Sequence, residues 1–493
     1  MSNLGNLLAL ALRNLLRNRR RSVTTLLAMI VGAVAILLFG GYSRDINYAM
    51  QTGFVRSAGH LQIQRKDYFL FGSGNPAAYG IANYQKVVRT VREDPVLAPM
   101  LTVVSPSLSL GGLAGNFDAG VSRTIFGRGV QVDDQNRMRR WNDYGMRGTA
   151  RDLALTGTAS DAAVIGVGVA RVLQLCGALR VSNCPQPAPT AASATAEVLE
   201  APPDLAGLAQ QERAAATHSA GAQNGPAAAG DGATSSAAGV PVGSTAHIEL
   251  LAANAHGAPN VAALQVIKAE PQGVKEVDDM FVMLHLAQAQ RLIYGKSDPQ
   301  VTAVMLQLKH TSQIPAARAR LDALLKTSLN DQPLEVLDFA TLNPWYGQTT
   351  GMFAAIFGFI SLLIASIVLF TVGNTMSMAV VERTVEIGTL RAIGLRRGGI
   401  RRLFVTEGLL LGALGAGLGV LIALGGAWLI NHAGMTWLPP GQVDPVPLTV
   451  RVWGETRLIV GTAIGLAVVA VLSAWWPARR AAALNIVDAL RHA

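Results

Sequence analysis

The chain has 493 residues, of which half are hydrophobic and 15% are charged, and its formal net charge is +10. The mean hydropathy of +0.33 is high for a soluble protein and indicates a membrane protein surrounded by lipid. The basic excess does not indicate nucleic acid as a partner, because no stripe of basic residues alternates with aromatic ones. In membrane proteins, excess arginine marks the cytoplasmic edge instead.

The N-terminal segment, 1–21, is predicted to be a cytoplasmic amphipathic helix. Leucines recur in it at helical spacing and two arginines lie one turn apart, which is typical of a helix at a membrane surface; these residues are Leu4, Leu8, Leu12, Leu15, Arg13 and Arg17. A plain positively charged leader is the alternative. The apolar run 22–42 that follows is longer than the core of a signal peptide, and no small-residue cleavage site follows it. We expect an uncleaved membrane anchor.

Three further runs, 350–376, 404–430 and 458–476, are long enough to cross a bilayer as helices. Arginines flank the predicted spans before residue 22, between 377 and 403, and after 476, and they are scarce in 431–457. By the positive-inside rule both termini and the 377–403 loop are cytoplasmic. The predicted fold is thus a membrane protein with four transmembrane helices in a 1 + 3 order, a short outer loop at 431–457 and a cytoplasmic tail at 477–493.

Residues 43–349 are predicted to form a large extracytoplasmic mixed α/β domain, because short apolar runs alternate there with turns. Within it, 185–245 is rich in alanine, glycine and proline and poor in bulky apolar residues, so we expect a disordered insert. Cys176 and Cys184 could form a disulfide in an oxidising compartment, and two free thiols are the alternative. With no histidine pair near them, we expect no metal site.

The third predicted span is rich in glycine, with Gly408 and Gly412, then Gly415 and Gly419, at four-residue spacing. Such pairs permit close helix contact in lipid, within the chain or against a second copy. Glu407 is the ionisable residue near the start of this span. The expected explanation is an anion at a helix N-terminus, and a functional role is the alternative.

The loop 377–403 holds six arginines and two glutamates within the 25 residues Val380–Phe404. Each arginine would cost about 2.5–3.5 kcal/mol in hydrocarbon, so topology alone explains them. Topology does not explain the glutamates, or the glycines that interrupt a helical pattern. We interpret the loop as a short amphipathic helix that docks on a protein partner.

No catalytic chemistry is evident. The stretch Tyr294–Ser297 reads YGKS, like the end of a phosphate-binding loop, but Gln290 stands where its first glycine would be. The GVGVAR stretch at Gly166 lacks the third glycine of a dinucleotide-binding loop, and the histidines are scattered without a nucleophile near them. We predict that the chain is not an enzyme and has no catalytic residues.

The whole pattern resembles the FtsX-like permeases of ABC transporters, including the LolC/LolE lipoprotein-releasing and MacB-like branches. The resemblance lies in ALRNLLRNRRRSVTTLLAMIVG near the start, ERTVEIGTLRAIGLRRGGIRRLFVTEGLLLGALGAGLG, and PARRAAALNIVDALRH at the end. It is looser around GHLQIQ and MFVMLHLAQAQRLI. The stretch CGALRVSNCP and the alanine-rich insert depart from the family pattern, which puts the strand pairing there in doubt.

In that family the loop between the second and third spans is a coupling helix that binds a cytoplasmic ATPase. The resemblance carries this role to Glu382, Arg383, Glu386, Gly388, Arg391 and Gly394. It implies ATP and Mg in a separate ATPase subunit and no cofactor in this chain. It also implies a second permease chain, in a homo- or heterodimer, a periplasmic carrier or adaptor, and the bacterial inner membrane as the location.

The resemblance implies a permease subunit that converts ATP hydrolysis into movement of its periplasmic domain, for lipoprotein or lipid release or export. Besides a membrane-anchored binding protein without any ATPase, which would leave the cytoplasmic signature unexplained, two alternatives remain open. One is an FtsX-type signalling scaffold that activates cell-wall hydrolases, although its outer domain is generally smaller. The other is MacB-type efflux of drugs or peptides, although MacB chains usually carry a fused ATPase.

Overall fold

The computed structural model of the protein describes residues 4–17, 19–146, 151–182, 184, 246–438 and 445–484. The predicted disordered insert 185–245 and residues 485–493 of the predicted tail lie outside the described residues. The same holds for 439–444 in the predicted short outer loop.

The helices lie before, between and after the strands of a sheet. In chain order they are α1 (Leu4–Arg17), α2 (Arg19–Ala58), α3 (Tyr68–Phe71), α4 (Tyr84–Glu93), α5 (Val132–Arg139), α6 (Val167–Val172), α7 (Cys176–Leu179), α8 (Lys275–Asp278), α9 (Leu286–Tyr294), α10 (Ile314–Lys326), α11 (Phe339–Leu342), α12 (Pro344–Glu382), α13 (Thr384–Ala392), α14 (Arg397–His432) and α15 (Thr456–Ala483).

Four of these helices, α2, α12, α14 and α15, are long and apolar enough to cross a membrane. The protein is a multi-pass membrane protein. Each helix is longer than the apolar run that predicted it, because the run marks only the part that fits hydrocarbon. In α2 the helix continues past the predicted end at residue 42, since Ser43, Arg44 and Asp45 do not break a helix, and it ends at Gly59. There φ is +80° and the amide donates to the Val55 carbonyl at 3.1 Å.

The four long helices pack as a bundle in which α14 lies against both α2 and α15, and α12 lies against the same two helices. The interior is apolar and includes Met29, Val368, Phe404 and Leu411. The side chains on the outer surface of α12 are largely exposed, as Phe359 and Phe370 show. An apolar exterior is what contact with lipid chains requires.

The glycine pairs of α14 serve two different contacts inside the chain. A Cβ added at Gly408 would lie 2.6 Å from the Ala474 Cβ, and one at Gly412 would lie 3.0 Å from the Ala467 Cα, both on α15. The other pair meets α2, where a Cβ on Gly415 would lie 2.7 Å from the Met29 Cβ and one on Gly419 would overlap Ala33. The glycines therefore let one helix approach two neighbours closely.

The strands form one large sheet between α2 and α12. They are β1 (Leu61–Arg65), β2 (Leu101–Asn116), β3 (Val121–Val130), β4 (Ala162–Gly166), β5 (Ala246–Ala253), β6 (Pro259–Glu270), β7 (Phe281–His285), β8 (Ala303–Leu308) and β9 (Leu334–Asp338). A small pair, β10 (Thr436–Trp437) and β11 (Val446–Pro447), connects α14 and α15.

The sheet order is β3-β7-β4-β6-β5-β2-β8-β1-β9, and β2 also pairs with β3. The pairings from β2 through β3, β7, β4, β6 and β5 thus return to β2. Strand β1 lies between β8 and β9, with Leu61 opposite Leu306 and Asp338. Since β1 follows α2 and β9 leads through α11 into α12, both chain connections to the long helices enter this part of the sheet.

A disulfide joins Cys176 at the start of α7 to Cys184, with Cα atoms 6.2 Å apart. The disulfide links the two cysteines of CGALRVSNCP, the stretch that departs from the family pattern. The preceding strand β4 pairs in parallel with β6 and antiparallel with β7, so the departure leaves β4 inside the sheet.

A cluster of Tyr48, Tyr144 and Arg451, here called the aromatic joint, connects the sheet to the long helices. Tyr48 of α2 stacks on Tyr144 with ring centroids 4.2 Å apart. Arg451, from the connection between α14 and α15, lies over the Tyr48 ring at 5.3 Å and donates to the Tyr144 carbonyl. Nearby, His60 is buried and accepts from the Leu308 amide at 3.0 Å; burial lowers its pKa to about 4. One arginine therefore bridges α2, the α14–α15 connection and a loop of the sheet unit.

We expect Gly412→Val to lower the stability of the solubilised chain by about 1–3 kcal/mol, because the added side chain overpacks the α14–α15 contact. Gly417→Val on the same helix is the matched control, since a Cβ there meets nothing within 4 Å. The midpoint of thermal unfolding in detergent measures both. Equal effects of the two substitutions would contradict the assigned contact.

Candidate functional site

Helix α13, between α12 and α14, is a single short helix with defined ends. It begins after Arg383, whose φ of −103° and ψ of 17° break the helical path from α12. It ends at Gly394, where φ is +104°. The Gly394 amide donates to the Arg391 carbonyl at 3.1 Å and the Leu395 amide to the Leu390 carbonyl at 3.0 Å. This pair of bonds is a Schellman motif, which explains the glycine at this position.

A buried ion pair lies where α13 meets the bundle. The guanidinium Nη1 of Arg383 is 3.1 Å from Oε1 of Glu407 on α14, and the two side chains are 7% and 3% exposed. The Asn14 side chain of α1 donates to the same carboxylate oxygen at 2.6 Å, and Arg383 donates to the Asn14 carbonyl at 3.1 Å. Charges this deeply buried are stable only when they are paired and hydrogen-bonded. The three residues therefore fix α1, α13 and α14 relative to one another.

Three further contacts hold the loop at its sides. Arg21 of α2 pairs with Glu382, and Arg17 of α1 pairs with Glu386, both at 2.6 Å. At the far end of the helix, Arg391 donates to the backbone carbonyl of residue 484, which follows α15. Together with the Arg383–Glu407 pair, these contacts tie the loop to α1, α2, α14 and α15.

One face of α13 remains open. Ile387 is buried against the bundle, whereas Val385 and Ile393 are exposed, Ile393 by 81%. Val381, at the end of α12, is 66% exposed. The glutamate side chains beside them are about half exposed in their ion pairs, Glu382 by 41% and Glu386 by 50%. The open face thus combines apolar side chains with two accessible carboxylates, which suits a protein partner.

The structure brings the predicted docking residues together on one loop but gives them different positions. Glu382 and Glu386 lie at the surface, Arg391 is half-buried, and Gly394 is the exposed helix stop. Arg383 and Gly388 are buried. The side chain of Arg383 therefore faces the bundle, and its role within the chain is to pair with Glu407.

Sequence reasoning missed Asn14 as a member of the site, and it missed the pairing of Glu407 with Arg383. Glu407 was expected at a helix N-terminus, but it lies more than two turns into α14. A carboxylate among the first residues of a predicted span is itself a signal, because it needs a cationic partner once the bundle buries it. Asn14 carried no such signal, since a lone asparagine among arginines is typical of any exposed helix. Among the described residues, no group of three or more His, Cys, Asp or Glu side chains could hold a metal ion.

Residues 356–486 match the model of the family described as FtsX-like permease C-terminal. The chain carries an FtsX-like permease domain. This domain contains most of α12 and all of α13, α14 and α15, and so includes the Arg383–Glu407 pair and the open face of α13.

Three proteins named as transporter components are similar to parts of this chain. The chain is 37% identical to the ABC transporter permease YtrF of Bacillus subtilis over 27% of its own length and 30% of that protein. It is 28% identical to the lipoprotein-releasing system transmembrane protein LolC of Neisseria meningitidis over 48% and 56%. It is 29% identical to the macrolide export ATP-binding/permease protein MacB of Hyphomonas neptunium over 48% and 34%. The matched part thus spans about a third to just over half of these relatives.

We expect Glu407→Gln to destabilise the FtsX-like domain by about 3–5 kcal/mol, because it leaves the Arg383 charge buried without a counter-ion. The double substitution Arg383→Met with Glu407→Leu removes both charges and should recover most of this loss. Glu386→Gln is the control, since an exposed pair contributes about 0–1 kcal/mol. The readout is thermal unfolding of the purified chain. A loss with Glu407→Gln no larger than with Glu386→Gln would contradict the role of the buried pair.

Proposed function

We propose that the chain is the transmembrane subunit of an ABC transporter and that α13 binds a separate cytoplasmic ATPase. The observation that carries the proposal is the open face of α13, held rigidly by the buried Arg383–Glu407 pair. Support comes from the FtsX-like match at residues 356–486, which contains both, and from the similarity to the ABC transporter permease YtrF and to the ATP-binding/permease protein MacB. The sequence itself has no phosphate-binding loop, so ATP and Mg would be bound by the partner.

The contacts of α13 define how such a partner would act on the bundle. A partner seated on Val385 and Ile393 pushes a helix whose opposite side holds Ile387 and Gly388 against the bundle. The Arg383–Glu407 pair passes the movement to α14, and the close glycine contacts pass it to α2 and α15. At the other end of the bundle, Arg451 contacts the sheet unit. ATP hydrolysis would thereby move the sheet unit.

The orientation follows from arginine placement. Arginines cluster at the end of the bundle that holds α1 and α13, and the positive-inside rule puts this end in the cytoplasm. The sheet unit then lies outside the inner membrane, in the periplasm, where the Cys176–Cys184 disulfide would be stable. Since four spans are few for a transport path, we further propose that two permease chains act together, in a homo- or heterodimer.

For the substrate, we propose lipoprotein or lipid release or export, with a periplasmic carrier or adaptor as recipient. The alignment covers 56% of the LolC relative but 34% of the MacB relative, which is named as an ATP-binding/permease protein. Signalling to cell-wall hydrolases and MacB-type efflux are the alternatives. The proteins and lipids that co-purify with the chain distinguish the three.

The docking proposal is tested by exchanging the charges of one ion pair. Glu386→Arg should lower recovery of the ATPase with the permease about tenfold. The substitution replaces a carboxylate that the partner would contact with a positive charge. Arg17→Glu alone keeps the Glu386 carboxylate and should retain most of the binding. The swap Arg17→Glu with Glu386→Arg restores the internal pair but reverses the charge on α13, so it should stay defective. Recovery is measured by quantitative mass spectrometry per mole of permease.

Two controls make this result specific. Glu276→Arg on the sheet unit reverses an exposed glutamate on the other side of the membrane and should change nothing. Ile393→Asp tests the apolar part of the face and should lower recovery without touching any ion pair. If the swap restores full recovery, Glu386 acts only through Arg17. If neither Glu386→Arg nor Ile393→Asp changes recovery, α13 is not the docking site.

A further inference from the structure

A second basic surface lies at the same end of the bundle, where α14 begins and α15 ends. It consists of four exposed arginines, which are Arg401, Arg402, Arg479 and Arg480. Within the part of the chain that the structure describes, none of the four forms an ion pair with a carboxylate, in contrast to Arg17, Arg21 and Arg383. Positive charges without a carboxylate partner at one end of a bundle repel one another, and an external anion would offset this repulsion.

Two of these arginines are held in place by neighbouring tryptophans. The Arg401 guanidinium lies 5.0 Å from the centroid of the Trp475 ring, across the α14–α15 contact. The Arg480 guanidinium lies 4.5 Å from the centroid of the Trp476 ring, one turn earlier in α15. Stacking on an aromatic face uses the face of the guanidinium and leaves its N–H donors free at the edge. Those donors match the geometry of phosphate oxygens.

The position of this surface is that of lipid headgroups. The apolar part of α14 begins at Leu403, directly after Arg402, and the apolar part of α15 ends at Trp476. The two helices touch at this level, since a Cβ on Gly408 would meet Ala474. Exposed tryptophans are enriched where hydrocarbon gives way to headgroups. Trp475 and Trp476 are 44% and 67% exposed, so both rings remain accessible to lipid.

We propose that this arginine–tryptophan surface binds the phosphate of an anionic phospholipid between α14 and α15. The positive-inside rule explains why arginines lie at this end of the bundle. It does not explain why two of their guanidinium groups lie over tryptophan rings. Basic residues in the first turns of α14 also oppose the helix dipole, and a bound anion offsets this cost. The open face of α13 is apolar and acidic, so the two surfaces suit different partners. This proposal does not depend on the ATPase.

The test is native mass spectrometry of the full chain in detergent, titrated with phosphatidylglycerol and with phosphatidylcholine of the same acyl chains. The wild type should retain phosphatidylglycerol preferentially. Arg401→Gln with Arg480→Gln should lower this preference by about fivefold for each arginine removed. Arg19→Gln with Arg20→Gln is the matched control, because these arginines are exposed at the same end without an aromatic partner, and it should cause a much smaller change.

Several outcomes would overturn the proposal. One is a wild type that shows no preference for phosphatidylglycerol. Another is an equal loss of preference in the two double variants, which would mean that the arginines attract anionic lipid only diffusely. A third is an unchanged lipid preference with reduced ATPase recovery, which would assign the surface to the protein partner. Displacement of the lipid by millimolar inorganic phosphate would contradict a lipid ligand. If the Arg401 and Arg480 double variant does not fold, Arg480→Gln alone should still show the fivefold loss.

Discussion

The buried pair of Arg383 and Glu407 is the constraint on which the end of the bundle that holds α1 and α13 depends. Two opposite charges removed from water are stable only as long as each keeps the other. Because Arg383 lies at the break between α12 and α13 and Glu407 lies inside α14, the pair sets the angle at which α13 leaves the bundle. Asn14 adds α1 to the same arrangement through the shared carboxylate oxygen. The pair therefore ties the position of α13 to the positions of α14 and α1.

Close packing then extends this constraint through the membrane. Gly408 and Gly412 hold α14 against α15, while Gly415 and Gly419 hold it against α2. Such contacts are short-range and allow little sliding without loss of packing. At the opposite end, Arg451 reaches from the α14–α15 connection to Tyr48 and Tyr144. The sheet unit is attached to the bundle by this joint and by the two chain connections at β1 and β9.

Much of this arrangement could be predicted from the sequence, and the exceptions have physical reasons. Apolar length identifies the four spans, but it marks hydrocarbon rather than helix ends, so α2 continues beyond residue 42 to a glycine stop. Four-residue glycine spacing predicts close contact in α14, but spacing cannot tell which helix is met, and here two different helices are. Gly394 ends α13 whereas Gly388 lies inside the helix, so residue type alone does not tell which of the two glycines is the stop.

The docking residues show the limit most clearly. The family resemblance assigns one docking role to Glu382, Arg383 and Glu386, which are polar neighbours in one loop. Only the three-dimensional contacts distinguish Arg383 from the two exposed glutamates. The break between α12 and α13 turns Arg383 toward Glu407, 24 residues further along the chain. The pairs of Arg17 and Arg21 with this loop join residues more than 350 positions apart, and no local pattern encodes such a distance.

The central claim is that a cytoplasmic ATPase binds the open face of α13 when the chain is in its native membrane. The most direct measurement is purification of the chain from native membranes in mild detergent, with mass spectrometry of the proteins that accompany it. The account predicts a P-loop ATPase at near-equal stoichiometry with the chain. Absence of any ATPase, under conditions in which other membrane complexes stay intact, would contradict it and would leave the charged loop with a topological role alone.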